Sequence, residues 1–186
     1  MRRGVVICAA ALVGAIAAAT ASAGQVFRET FHEENTVVLD DFCDIEGLTV
    51  EVAFVLDGRV HAVPHGPDGL AYFVSHGTRT EVLTNLANGK SVSSVANVLE
   101  KDKHIADNGD GTLTILILAT GNAVLYGADG KAIARNPGQV RFEILIDHGG
   151  TPNDASDDEF LDFLGVVKES TGRSDDFCEA AVPALS

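Results

Sequence analysis

Oxygen ligands crowd one stretch of this chain, residues 147–162, where Asp147, Asn153, Asp154, Asp157, Asp158, Glu159 and Asp162 surround Gly149-Gly150 and Pro152. Hard carboxylate and amide oxygens gathered on one loop are the donors that Ca²⁺ takes. Asp147, Asn153, Asp154, Asp157, Asp158 and Glu159 therefore make up a weak calcium-site hypothesis, although their spacing matches no known ligand loop. The competing reading is a solvated acidic loop that serves solubility.

Elsewhere, motifs begin and fail. Asp110-Gly111 imitates the middle of an EF-hand loop, but Ala106 stands at the first ligand position and Ile117 at the twelfth, so the opening carboxylate and the closing bidentate Glu are missing. Gly89-Lys90-Ser91 imitates the end of a phosphate-binding loop, with Thr84 where an earlier Gly is required. His61 and His65 have the spacing of a helical zinc pair, but Val63-Pro64 between them forbids the helix. On a strand they would stand about 13 Å apart. No nucleophile with its base and no acid–base carboxylate pair stands out, so no catalytic or cofactor-binding residue is assigned.

Cys8 falls in the N-terminal apolar stretch, leaving Cys43 and Cys178. An even number without CxxC spacing or an adjacent His, in a chain bound for an oxidising compartment, predicts one structural disulfide that pins both ends to the domain.

The elements that must carry these residues are strands. Leu48, Val50, Val52, Phe54 and Leu56 alternate with smaller or polar residues, the period-two pattern of a half-buried strand. Asp57-Gly58 then reads as a hairpin turn within residues 48–63. Further strands are expected over residues 70–75, 78–85, 91–98, 112–119, 122–127, 131–135, 139–147 and 160–167. They are separated by Asp68-Gly69, His76-Gly77, Asn88-Gly89, Asp110-Gly111, Gly121-Asn122, Asp129-Gly130 and Pro137-Gly138, each able to turn tightly. Residues 91–101 alone have helical spacing, and their Ser and Val content suits a strand as well. The expected fold is all-β: a single antiparallel domain of about 8–10 strands, a β-barrel slightly preferred over a β-sandwich because an open sheet leaves edges and a bare face.

Arg2 and Arg3, the apolar stretch after them and Ala21-Ser22-Ala23 read as a cleaved secretory signal over residues 1–23, with one domain over residues 24–186. The apolar run is shorter than the roughly 18–20 residues that span a bilayer. Across the chain's 186 residues Lys and Arg number 13 against 27 Asp and Glu, a formal charge of -14. Nucleic acid and anionic lipid draw their affinity from Lys and Arg, so both are excluded as partners.

The layout from Cys43 through residues 85–92 (Asn-Leu-Ala-Asn-Gly-Lys-Ser-Val) and 107–112 (Asp-Asn-Gly-Asp-Gly-Thr) to Cys178 resembles secreted, uncharacterised β-rich proteins of actinobacteria. That resemblance implies export and a β-rich domain and carries over no activity. The functional expectation is a secreted, non-catalytic binding module for a small apolar ligand or a surface partner. The alternatives are a structural or envelope-associated protein with weak calcium binding and, third, a small β-barrel enzyme.

Overall fold

The computed structural model describes residues 27–186, so the expected signal over residues 1–23 lies outside the described residues. Seven strands, β1 (Phe27–Leu39), β2 (Val50–His65), β3 (Leu70–Asn85), β4 (Ser91–Asp107), β5 (Thr112–Tyr126), β6 (Ala132–Asp147) and β7 (Glu159–Lys168), precede one short helix, α1 (Phe177–Leu185). They form one antiparallel sheet in chain order, each strand paired with its sequence neighbours. The all-β, antiparallel reading holds, and the strands lie in one sheet. The barrel and the count of 8–10 strands do not: β1 and β7 are both edges and the sheet is not closed.

The count falls because four of the expected turns lie inside strands. Gly58 pairs with Gly77, Gly77 with Val98, Val98 with Gly121, and Gly121 with Gly138, so the four glycines and one valine form a row across β2 to β6. The glycines at true turns, Gly69, Gly89, Gly111 and Gly130, have positive φ, whereas none of the four in the row does. In the row, what Gly supplies is room. A side chain on Gly121 would strike the Asn97 carbonyl oxygen, one on Gly58 the Phe31 ring, and one on Gly138 the Ser170 side chain. Bare backbone lets neighbouring groups approach closely along this line, a use that Gly has inside strands.

The row separates two apolar clusters on the same face. Toward one end Val50, Val52, Leu83, Val92, Leu125 and Ala134 pack with Phe42 and with Ala181 and Leu185 of α1. Toward the other, Ile105, Leu113, Ile115, Ala119, Phe142, Ile144 and Ile146 pack together. Alternation along β5 places Leu113, Ile115, Ala119, Gly121 and Leu125 on this one face.

The helix α1 covers the first cluster and is tied down at both ends. Asp176 caps its start by accepting the Glu179 N–H at 3.0 Å. At its end the Asn85 and Asn88 side-chain amides donate to the Leu185 carbonyl at 2.9 and 2.8 Å, satisfying a carbonyl that the helix itself leaves free. The Cys43 and Cys178 sulfurs sit at bonding distance, with Cα atoms 5.6 Å apart, so the expected pairing is present.

Candidate functional site

The residues of the calcium hypothesis lie on the β6–β7 connection and its flanks, and three of the six have side-chain oxygens engaged locally. Asp147 accepts the Gly149 N–H at 2.9 Å, Asp154 the Ser156 N–H at 3.1 Å, and both Asp157 oxygens lie within 2.8 Å of the Thr151 hydroxyl. The first two are the side-chain-to-backbone bonds that Asp makes in turns, and the third joins two side chains. Asn153 and Glu159 are exposed. Among the described residues no three His, Cys, Asp or Glu side chains gather as a metal would require. His61 and His65 both fall on β2, where the His65 ring meets that of Tyr72 at a tilt of 52° with centroids 5.1 Å apart.

Asp158 does enter an acidic group, with partners on β4. Glu100 and Asp102 project from one face of that strand, opposite Ala119 and Ile117 of β5. Burial, with repulsion from Asp102, pushes the Glu100 carboxyl up to about 7. Burial also pushes Asp102 up to about 7 against the Phe73 N–H bond at 2.8 Å, which favours its charged form, and the charge of Asp158 adds to the rise. Asp158 itself is raised to about 6, first by burial and then by Asp157, with His148 opposing. Desolvation dominates all three. The trio can hold and release protons near neutrality.

The most distinctive surface is β7. Against β6 its register slips three times: Phe160 pairs with Ile146, Phe163 with Ile144 and Val166 with Phe142, so three residues of β7 answer two of β6. Leu161, Leu164 and Val167 are the extra residues, each a β-bulge. Phe160, Phe163 and Val166 thereby all share a face with the second apolar cluster, and the Phe163 ring lies 5.7 Å from that of Phe142. All six apolar side chains of this edge strand nevertheless remain 40–57% exposed. The sequence signal was there as a period of three, Phe-Leu-Asp-Phe-Leu-Gly-Val-Val, which neither the period of two nor that of 3.6 detects.

A cleft of about 490 Å³ opens beside the start of α1, lined by Ile133, Arg173, Ser174, Asp175, Asp176, Glu179 and Ala180. It is charged and exposed, and Arg173 is already held by Asp175 at 2.6 Å. It does not suit the apolar ligand expected from the sequence. No family model matches this chain, and no curated protein or solved structure does either.

Proposed function

We propose that this chain is an exported, non-catalytic binding module that docks a macromolecular partner on β7. The observation that carries the reading is the set of six exposed apolar side chains on β7, an edge strand that pairs with β6 alone among the described residues. Contiguous exposed apolar surface costs solubility and marks interaction sites, and an open edge is the part of a sheet that proteins otherwise blunt. A surface partner is favoured over an enclosed small ligand because a sheet left open between β1 and β7 forms no closed lumen.

An apolar fluorescent probe tests the reading. The protein at low concentration is expected to take up the probe saturably, and Leu161→Asp with Leu164→Asp is expected to abolish uptake while leaving the circular dichroism unchanged. Uptake that persists undiminished in that variant would place the apolar site elsewhere and overturn the reading.

A further inference from the structure

We propose that the partner docked on β7 is a second copy of this chain, its own β7 running antiparallel about a two-fold axis between Phe163 and Leu164. The inference rests on reading β7 as an interaction surface and adds the identity of the occupant.

The strand reads Glu-Phe-Leu-Asp-Phe-Leu-Gly-Val-Val-Lys, and this pattern is palindromic in kind. Turned antiparallel on itself about its centre, it sets Glu159 against Lys168 at both ends. Phe160 then faces Val167, Leu161 faces Val166, and Phe163 faces Leu164. The remaining carboxylate, Asp162, falls opposite Gly165, where it meets neither a like charge nor an apolar side chain. Neither Glu159 nor Lys168 makes an ion pair among the described residues, so both are free for the second copy. A two-fold contact of this kind uses the same patch on both copies and closes on itself.

Other arrangements fit worse. Parallel pairing of the two strands would set Glu159 against Glu159 and Asp162 against Asp162, which is destabilising. The other edge, β1, carries Glu29, Glu33 and Glu34, which would be pressed onto the Phe and Leu side chains of β7 and lose their hydration. The bulges interrupt the regular spacing of a ladder, and the Phe163 N–H is held by the Asp162 carboxylate at 2.8 Å. Side chains therefore hold the second copy, without a continuous run of backbone hydrogen bonds.

Sedimentation velocity of the full mature chain across concentration, with charge-reversal variants, tests this. The native chain is expected to show a concentration-dependent monomer–dimer equilibrium. Lys168→Glu sets two like-charged pairs in the contact and is expected to weaken it about tenfold, and Glu159→Lys added to Lys168→Glu is expected to restore it. Both residues are exposed, so folding is not at stake. A dimer indifferent to Lys168→Glu, or not rescued by the double reversal, overturns the antiparallel β7 contact. A monomer at every concentration that still takes up the apolar probe overturns the second copy and leaves the surface to a different partner. A monomer that takes up no probe overturns both readings.

Discussion

Glu100, Asp102 and Asp158 are carboxylic acids that keep their protons well above the range of a solvated carboxylate, and desolvation is the main reason for each. The linkage has a definite sign. In the unfolded chain these groups ionise near pH 4, while in the folded protein they hold protons until about pH 6 to 7, so their contribution to stability is fully present below about pH 4 and is lost as pH rises from there through the folded values. Asp102→Asn removes the ionisation and keeps an acceptor for the Phe73 N–H. It is expected to leave stability at pH 4 nearly unchanged and to raise it at pH 8 by on the order of 2–4 kcal/mol. Urea melts at the two pH values check this, and a variant equally shifted at both would mean that burial of the charge is not what Asp102 contributes. Glu100 and Asp102 were hidden in the sequence among 27 acids, because what distinguishes them is that β4 turns one face inward, and composition carries no information about facing; Asp158 was picked out with its acidic loop, as a metal ligand and not for its proton.

At the scale of elements, the Gly-containing dipeptides show how far local reading goes. Asp68-Gly69, Asn88-Gly89, Asp110-Gly111 and Asp129-Gly130 do turn, with positive φ at each glycine, while Asp57-Gly58, His76-Gly77, Gly121-Asn122 and Pro137-Gly138 run straight through β2, β3, β5 and β6. Every dipeptide that turns is Asx-Gly, the strong hairpin signal, and of those that do not only Asp57-Gly58 is; there the deciding factor is a cross-strand register that only the folded sheet defines. Removing the space at the row should show its worth. Gly121→Ala drives a methyl group into the Asn97 carbonyl and is expected to cost about 1–3 kcal/mol in chemical denaturation. Gly127→Ala meets only ordinary contacts, the nearest at 3.4 Å, and should stay within about 0.5 kcal/mol. Equal costs at the two sites would remove the steric reading of the row. Two elements escaped the sequence altogether. In β1 the charges of Arg28, Glu29, Glu33 and Glu34 break any alternation, and α1 is nine residues long with Pro183 inside it, held by Asn85, Asn88 and Cys43, none of them nearby in sequence.

For the whole molecule, charge sets the conditions under which β7 can act. Residues 27–186 carry 11 basic and 27 acidic side chains, a formal charge of -16. Two such bodies repel at long range, and the screening length shortens from about 30 Å at 0.01 M salt to about 8 Å at 0.15 M. Self-association through β7 is therefore expected to strengthen over that interval, the reverse of an interface held mainly by ion pairs. Sedimentation at the two ionic strengths decides, and a dimer that loosens as salt is added would place its attraction in charges and not in the apolar side chains. The class of fold was legible from residues such as Val50, Val52, Phe54 and Leu56, whose alternation survives into the sheet. Its openness was not, because closure depends on whether the first and last strands meet.

Strand order equal to chain order has a kinetic consequence. Each new strand from β3 to β6 needs a connection of only four or five residues to close before it pairs, so the sheet can zip up one hairpin at a time, with little loop entropy lost at any step. The long closure, bringing Cys178 across 135 residues to Cys43, joins ends that the finished ladder has already positioned. The bond then locks the assembled shape and does not have to search for it.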